Sequence, residues 1–342
     1  MSHYAHAYAG FKGPGDSRPT ALQIVKDEAL IGKLTDKTFL VTGVSSGIGI
    51  EILRALYATG AHVFGTVRDV AKGKKVVDDI RSTTKGGKIT LIEMRLDSLA
   101  SVRKAAAEFL SQSKKLNVLI NNAGVMHTPE GKTEDGFETQ FGTNHLGHFL
   151  LFQLLKSTLL ASASHDFPSR VVSVSSMGHR YGKVRPGDYN FTEPGSYDPG
   201  HAYGQAKTAN IWFANELERR YGSRGVHGSS LHPGGIWTGL QKHWDPKVIE
   251  ALQANDSVYA YMMNAEQGAA TCIYAALSEE WKTKGGKYLS QCVEQGPSAG
   301  VEVEGVQVPI GDDGHAPWAY DERREKQLWE DSLDMLGLKH SE

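Results

Sequence analysis

The sequence has few cysteines and no long apolar run, and both absences limit what the protein can be. Only Cys272 and Cys292 occur among the 342 residues, too few for a disulfide framework and without the second pair that a zinc site needs. This usage is typical of a reducing compartment, so we expect a cytoplasmic protein. The most apolar stretch, Phe149 to Leu160, is interrupted by Gln153 and Lys156 and is shorter than the roughly 20 residues that span a bilayer. It predicts a buried helix and no transmembrane segment.

An excess of charge of either sign is also missing. Lys and Arg number 37 and Asp and Glu number 39, which gives a net charge of -2. Proteins that bind polyanions usually carry a basic surplus, so neither nucleic acid nor an anionic membrane is an expected partner. The first residues, Met-Ser-His-Tyr-Ala-His, contain no basic segment followed by an apolar one and predict no leader peptide.

Short apolar segments alternate with helical patterns from Lys37 onward. The strand-like segments are 38–41, 62–67, 89–96, 118–120, 171–174 and 226–231. The helical patterns between them include 48–57, 99–111 and 139–160. Repeated βα units predict an α/β domain, a doubly wound parallel sheet with helices on both faces.

We expect this single domain to cover residues 37–290. Residues 1–36 are rich in Gly, Pro, His and Tyr and include an amphipathic piece from Thr20 to Leu34, which predicts an arm packed on the domain. Residues 291–342 are expected to form a C-terminal extension that also packs on it. Within this extension, 291–313 lack periodicity and 321–336 predict a helix.

The loop after the first strand reads Thr-Gly-Val-Ser-Ser-Gly-Ile-Gly at residues 42–49. Gly43 permits a tight turn, Gly47 lets the backbone approach a pyrophosphate, and Gly49 lets the next helix pack closely on the strand. Free N–H groups at the helix N-terminus attract the same anion. Because a strand precedes the loop and a helix follows it, we interpret it as a dinucleotide site rather than a ligand-free turn. The predicted contacts are Gly43, Ser45, Ser46, Gly47, Ile48 and Gly49.

The end of the second strand distinguishes the two dinucleotide cofactors. An acidic residue there usually binds the free ribose 2′-hydroxyl of NAD, but this position is Val67 and Arg68 follows it. A guanidinium pairs with a 2′-phosphate that a carboxylate would repel, so we predict NADP(H), with Lys72 as a second positive charge. The alternatives are a solvated Arg68, or a bulged strand end that presents Asp69 to the ribose.

Polar residues also follow the third and fourth strands, where parallel-sheet enzymes present ligand contacts. Asp97 can accept a hydrogen bond from the adenine amino group, or cap the helix that starts near Leu99, and the two roles are compatible. Asn-Asn-Ala-Gly at residues 121–124 ends the fourth strand.

Tyr203 and Lys207 form the most informative pair. In a helix, residues four apart lie on one face, so the phenol and the ammonium point the same way. A nearby cation favours the phenolate and is expected to lower the pKa of Tyr203, which makes the pair a proton-transfer device. The hydroxyl of Ser176, or of its neighbour Ser175, can orient a substrate oxygen. A solvated lysine and a serine that caps the strand end are the structural alternatives.

In their order along the chain, these motifs resemble the short-chain dehydrogenase/reductase family, in its single-domain branch with a Rossmann fold. The matching segments are 42–49, 121–124, Asn144 in Thr-Asn-His-Leu-Gly, the Ser175-Ser176 pair, Tyr203 with Lys207, and 233–238. The segments Arg68-Asp69-Val70-x-Lys72-Gly73 and Asn144 to Phe149 are closer to retinol-dehydrogenase-like members. The resemblance covers about residues 36–290.

The resemblance implies that Tyr203 exchanges a proton with the substrate oxygen while hydride passes to or from the nicotinamide. It further implies that Lys207 lowers the pKa of Tyr203 and binds the nicotinamide ribose. Ser176, the second serine of the pair, is implied to bind the substrate oxygen. Asn144 is implied to hold a water molecule that relays protons. The implied cofactor contacts also include Asn122, Ala123, Gly124, Tyr203, Lys207, Pro233, Gly234, Ile236 and Thr238.

The expected partner is a small-molecule substrate, namely an alcohol, ketone or aldehyde with a bulky, lipophilic skeleton. Residues 237–264 are predicted to form a flexible segment over its pocket, with the apolar residues Trp237, Leu240, Trp244, Val258, Tyr259, Tyr261, Met262 and Met263, although such residues at helical spacing are often core. His179, Arg180 and Tyr181 are further candidates for the lining. The sequence leaves the oligomeric state open, a homo-oligomer included. The alternative functions are an epimerase or dehydratase of the same fold, and an NADP(H)-binding protein without chemistry.

Overall fold

A computed structural model describes residues 4–299 and 311–340. Its strands are β1 Thr38–Thr42, β2 His62–Val67, β3 Lys88–Glu93, β4 Val118–Asn121, β5 Ser169–Val174, β6 Val226–Leu231, β7 Lys287–Ser290 and β8 Val293–Glu294. In the described part of the chain they form one eight-stranded sheet in the order β3-β2-β1-β4-β5-β6-β7-β8. Neighbours pair in parallel except β7 and β8, which are antiparallel. This order reverses between β1 and β4 and confirms the predicted doubly wound fold.

Helices connect the parallel strands, as βα units require. The α-helices are α1 Ala21–Asp27, α2 Ile48–Ala58, α3 Val70–Thr83, α4 Leu99–Gln112, α5 Thr139–Phe141, α6 Gly147–Ser162, α7 Pro199–Tyr221, α8 Pro246–Gln253, α9 Asp256–Tyr261, α10 Ala265–Gly268, α11 Ala270–Leu277 and α12 Glu322–Met335. Within the described residues, no helix has both the length and the apolar character that crossing a membrane requires.

Each face of the sheet carries its own apolar core, because successive strand residues point to opposite faces. In β1, Phe39 and Val41 belong to a cluster with α1, α2, α3 and α11. Leu40 between them belongs to a cluster with α4, α6, α7 and α12. Covering both faces explains why the strands read as continuous apolar runs rather than alternating ones.

The structure differs from the sequence-based elements in two places. β7 and β8 form a hairpin across residue 290, so the expected domain boundary falls inside the sheet. The predicted helix 139–160 is interrupted by a π-helical turn at Gly142–Leu146 between α5 and α6. Neither feature has a periodicity signal, because β8 is only two residues long and a π-turn keeps the helical pattern of apolar residues.

The N-terminal arm is anchored by the buried side chain of Arg18. Its guanidinium donates to the carbonyl oxygens of Tyr261 at 2.6 Å and Met262 at 2.7 Å, and pairs with Asp16 at 2.8 Å. Gln267 holds the other side of the same turn, since its Nε2 donates to the carbonyl oxygens of Asp16 and Arg18. The arm therefore fastens the C-terminal end of the segment predicted to cover the substrate.

We expect Arg18→Met to lower the free energy of unfolding by on the order of 3 kcal/mol. The substitution removes the cation that pairs with the Asp16 carboxylate and the donor to the carbonyl oxygens of Tyr261 and Met262, which costs more than an exposed ion pair contributes. Urea unfolding followed by circular dichroism measures the change. The control is Arg323→Met, which removes an exposed arginine. Equal stabilities of the two variants would contradict this assignment.

The C-terminal helix α12 packs on α6 and α7. The indole of Trp329 stacks on Phe213 with ring centres 5.9 Å apart and meets Phe149 edge-on at 4.9 Å. Nearby, Asn215 Nδ2 donates to the buried carboxylate of Glu325 at 2.7 Å. The helix predicted at 321–336 thus covers the same sheet face as the long helix that carries Tyr203 and Lys207.

Candidate active site

The glycine loop after β1 is built around close backbone contacts. A Cβ on Gly43, whose φ is +73°, would lie 2.7 Å from the Cβ of Ala123. A Cβ on Gly49 would lie 2.1 Å from the carbonyl oxygen of Gly43. These glycines bring the N-terminus of α2 against the end of β1, with Ser45, Gly47 and Ile48 half-buried and Ser46 exposed. The predicted cofactor residues of this loop therefore lie together at the carboxyl edge of the sheet.

The end of β4 is tied to this loop through Thr42. Its hydroxyl accepts hydrogen bonds from the backbone N–H groups of Asn122 and Ala123, both at 3.0 Å. The Asn122 side chain donates to the carbonyl oxygen of Thr42 at 2.9 Å. A Cβ on Gly124 would lie 3.0 Å from Asn144 Oδ1 and 3.6 Å from Lys207 Nζ. Residues 122–124 thus connect the cofactor loop to the residues predicted to move protons.

Asn144 lies in the π-helical turn, fully buried. Its Oδ1 accepts from the N–H of Val125 at 2.8 Å, and its Nδ2 donates to the carbonyl oxygen of Val125 at 2.9 Å. Both the oxygen and the nitrogen of the side-chain amide therefore bind the backbone of Val125. The water relay implied for Asn144 stays a prediction.

His148 extends this network and was not identified from the sequence as a site residue. Its Nδ1 lies 3.0 Å from the carbonyl oxygen of Asn144, and its Nε2 lies 2.9 Å from Thr42 Oγ1. Burial lowers the pKa of His148 to about 4, so the ring is neutral at neutral pH. The Nδ1–H donates to the carbonyl and Nε2 accepts the Thr42 hydroxyl proton. Only the spacing of four from Asn144 could have indicated this contact.

Tyr203 and Lys207 share one buried face of α7, as their spacing predicts. The helix begins after Asp198, whose carboxylate accepts from the N–H of His201 at 2.7 Å. Lys207 Nζ lies 5.5 Å from the centre of the Tyr203 ring and donates to the carbonyl oxygen of Val174 at 2.9 Å. Burial lowers the pKa of the Lys207 ammonium to about 8.

The expected direction of the Tyr203 pKa is wrong for the free protein. Burial raises the pKa of Tyr203 to about 12, and the nearby Ser176 hydroxyl only partly opposes this rise. Burial outweighs the Lys207 ammonium, which lies 5.5 Å from the ring centre. Tyr203 is therefore a protonated phenol over the physiological pH range, a state suited to donating a proton.

The two neighbouring serines have different surroundings. Ser175 is buried and donates to the carbonyl oxygen of Lys207 at 2.7 Å. The Ser176 hydroxyl is half-buried and accepts from the N–H of Gly178 at 3.0 Å. A Cβ on Gly178 would lie 2.7 Å from the Tyr203 ring and 3.3 Å from Ser176 Oγ, so this glycine lets the hydroxyl and the phenol approach each other. Of the two candidates, Ser176 is the one beside Tyr203.

The loop after β6 closes the other side of the cofactor loop. A Cβ on Gly47 would lie 3.4 Å from Thr238 Cγ2, so 233–238 reaches across to the N-terminus of α2. Pro233, Gly234, Ile236 and Thr238 are all half-buried. The Thr238 hydroxyl accepts from the N–H of Leu240 at 3.1 Å, and Ile236 bridges to Met263.

The residues predicted to distinguish NADP from NAD lie at the surface. Arg68 and Lys72 are exposed, and Arg68 forms no hydrogen bond or ion pair with any other described residue. Asp69 accepts from the N–H of Lys72 at 3.0 Å and caps α3. Asp69 thus caps the helix through one carboxylate oxygen, while the Arg68 side chain is free to meet a ligand, and which of the two meets the ribose stays a prediction.

Asp97 is not the cap of α4. The N–H of Leu99 bonds to the carboxylate of Asp135 at 2.8 Å, and Asp97 instead pairs with Arg95 at 3.1 Å. The capping alternative is wrong because Asp135, far along the chain, supplies the acceptor. The adenine contact predicted for Asp97 stays a prediction.

Several residues expected to line the substrate pocket serve other contacts. His179 Nε2 accepts from the N–H of Ala316, and Arg180 donates to the carbonyl oxygen of Asp312 at 2.6 Å, so both buried side chains bind the C-terminal segment. Tyr181 is exposed. For His179 and Arg180 the expected lining is wrong, because contacts between residues more than a hundred positions apart cannot be read from local sequence.

The segment 237–264 divides into a buried and an open part. Tyr261, Met262 and Met263 are buried, and the Tyr261 hydroxyl donates to Asp313 at 2.8 Å. Trp237, Leu240, Trp244 and Val258 are half-buried, and Tyr259 is exposed. Only the open part can face a substrate, and its flexibility stays a prediction.

Comparison with known proteins agrees with this geometry. The sequence model of the short chain dehydrogenase family matches residues 37–248, which include every position predicted above to be catalytic. The chain belongs to this family. Short-chain dehydrogenase/reductase prx1 of Penicillium roqueforti is 50% identical over 335 residues, 98% of this chain and 95% of the relative.

Two further matches extend the comparison of this short chain dehydrogenase. Human retinol dehydrogenase 12 is 36% identical over 307 residues, 90% of this chain and 88% of the relative, which confirms the retinol-dehydrogenase-like resemblance. The solved structure of the Pseudomonas aeruginosa RhlG/NADP active-site complex superimposes with a TM-score of 0.60 at 25% identity and covers 76% of this chain and 96% of that one.

Proposed function

We propose that this short chain dehydrogenase is an NADP(H)-dependent oxidoreductase that interconverts an alcohol and the corresponding ketone or aldehyde. The observation that carries the proposal is the buried phenol of Tyr203, with the Ser176 hydroxyl on one side and the Lys207 ammonium 5.5 Å from its ring centre. A buried phenol next to an ammonium and a hydroxyl is an arrangement for moving a proton to or from an oxygen.

The glycine loop fits a dinucleotide. The close contacts of Gly43 and Gly49 leave a cradle without side chains at the N-terminus of α2, where free N–H groups face an anion. Arg68 is available to a 2′-phosphate, whereas Asp69 is engaged as a helix cap. When bound, NADP(H) supplies the hydride that no side chain of the protein can supply. The NADP in the RhlG complex supports this assignment.

The chain's own residues then handle the proton and the developing charge. In reduction, Tyr203 donates its proton to the carbonyl oxygen, and in oxidation it accepts the hydroxyl proton. Ser176 donates a hydrogen bond to the same oxygen and stabilises the charge that develops on it. Lys207 lies behind the phenol and supplies positive charge as the phenolate forms.

The open part of 237–264 supports a lipophilic substrate. Trp237, Leu240 and Trp244 are half-buried there, Trp244 packs on His127 beside Tyr203, and a lining of such residues would select bulky apolar molecules. The name of the human relative refers to retinol, itself a lipophilic alcohol.

Turnover of lipophilic ketones and aldehydes with NADPH and with NADH tests the proposal. We expect reduction of at least part of the panel, with NADPH preferred. Tight binding of NADPH without turnover of any carbonyl or alcohol would instead support a binding protein. Interconversion of stereoisomers or loss of water without net oxidation of NADPH would support an epimerase or dehydratase.

Arg68→Ala is expected to raise the KM for NADPH about tenfold or more, which corresponds to roughly 1.4 kcal/mol, with little effect on NADH. The substitution removes the exposed guanidinium proposed to bind the 2′-phosphate. Steady-state kinetics with both cofactors measures the change, and Arg323→Ala, at an exposed site on α12, is the matched control. A wild-type enzyme that uses NADH better than NADPH would contradict the role of Arg68.

A further inference from the structure

His127, three residues after Gly124, has an unusual backbone. Its φ is +50°, in the left-handed region that residues with a Cβ rarely adopt. Such a conformation costs on the order of 1 kcal/mol and persists only where the surrounding structure imposes it. Both flanks are held here, since Asn144 binds both backbone groups of Val125 and the Tyr197 hydroxyl donates to the carbonyl oxygen of Thr128 at 2.8 Å.

This backbone places the imidazole between the proton-transfer residues and the segment above them. The ring centre of His127 lies 6.1 Å from that of Tyr203 and 5.7 Å from that of Trp244, which it meets edge-to-face. Gly200 in the first turn of α7 lies against the ring, since a Cβ there would be at the contact distance of 3.6 Å from His127 Cε1. His127 therefore lies beside the position of the reacting oxygen and not in the cofactor loop.

The polar atoms of this ring pair lack partners. Across residues 4–299 and 311–340, neither nitrogen of His127 forms a hydrogen bond, and the indole Nε1–H of Trp244 is buried and unpaired. Burial lowers the pKa of His127, so the ring is neutral at neutral pH and has one donor and one acceptor. The nearby Asp198 carboxylate does not serve it, because it caps α7. Buried polar groups are normally paired, so the Trp244 Nε1–H indicates a missing polar partner, and the half-buried imidazole of His127 beside it can bind the same partner.

We propose that His127 and Trp244 form a subsite for a second oxygen of the substrate, a hydroxyl or carbonyl on the same bulky skeleton as the reacting carbonyl. This subsite rests on the proposed function, because it gives a specificity to the same oxidoreduction. The ring centres of His127 and Tyr203 are 6.1 Å apart. One fused-ring or short-chain molecule can therefore place its reacting oxygen at Tyr203 and its second oxygen at His127. The preferred substrates are therefore hydroxyketones and diketones rather than hydrocarbon ketones. An unpaired donor rejects an analogue that lacks the acceptor, which is how such sites obtain selectivity.

The test compares 2-decalone with 6-hydroxy-2-decalone, which share one skeleton and differ in the second oxygen. We expect the wild type to have a kcat/KM at least about tenfold higher for the hydroxyketone. His127→Phe and Trp244→Phe, which keep a ring but remove the polar atoms, should bring this ratio close to one. His165→Phe replaces a fully exposed histidine and should leave the ratio unchanged.

NADPH binding followed by fluorescence identifies any variant that fails to fold. His127→Asn, which tolerates the left-handed region and keeps a donor and an acceptor, then replaces His127→Phe and should retain part of the preference. A wild-type ratio near one, or an unchanged ratio in both Phe variants, would overturn the subsite while leaving the proposed function intact. Failure of the wild type to reduce either ketone would count against the proposed function itself.

Discussion

Tyr203→Phe is expected to lower kcat by about 10² or more while cofactor affinity and stability stay close to those of the wild type. The phenol is the proton donor in the proposed reduction, and a benzene ring cannot replace it. The ring itself is buried against Gly178 and the Lys207 ammonium, and Phe preserves that packing. The loss should therefore appear in the chemical step and not in the KM for NADPH.

The raised pKa of Tyr203 explains why the loss is expected in the proton-transfer step. Since burial raises the pKa to about 12, the wild type holds the proton throughout the neutral range, and reduction needs no prior ionisation. Single-turnover reduction with saturating NADPH isolates the step. Tyr181→Phe, which removes the hydroxyl of an exposed tyrosine, is the matched control. Near-normal turnover by Tyr203→Phe on a true substrate would end the assignment of Tyr203 as proton donor.

The fold could be predicted from the sequence because its signals are local. Apolar runs bounded by turns located β1, β2, β4, β5 and β6 to within two residues at either end, and the glycine spacing at 42–49 identified the turn into α2. The β7–β8 hairpin was missed because a two-residue strand has no period. The parallel order follows from the βα alternation and not from any single segment.

The arrangement of the candidate site could be predicted only where the sequence spacing of two residues determines their relative positions. Tyr203 and Lys207, four residues apart in a helix, lie on one face as expected. The partners of Asn144, Arg18 and Arg180 depend on contacts between distant segments, which no local pattern encodes. The pKa of Tyr203 was predicted in the wrong direction because the sequence shows the cation but not the burial that outweighs it.

Lys207→Ala should behave differently from Tyr203→Phe, because one ammonium is proposed to serve both the phenol and the nicotinamide ribose. We expect kcat to fall about tenfold or more and the KM for NADPH to rise as well. Lys326→Ala, at an exposed lysine of α12, is the control for removing a lysine from this enzyme. A variant with lower kcat but unchanged cofactor affinity would separate Lys207 from the ribose.

The pH profile of alcohol oxidation tests the coupling of the pair directly. Oxidation requires the pair to have lost a proton, and in the wild type the first group to titrate is Lys207, with a pKa of about 8, while Tyr203 follows at about 12. Without Lys207 only the tyrosine remains to lose a proton, and its pKa is about 12. The rising limb of the oxidation profile should therefore move to higher pH, from near 8 toward 12. A limb that does not move would leave Tyr203 as proton carrier and show that Lys207 does not control its ionisation.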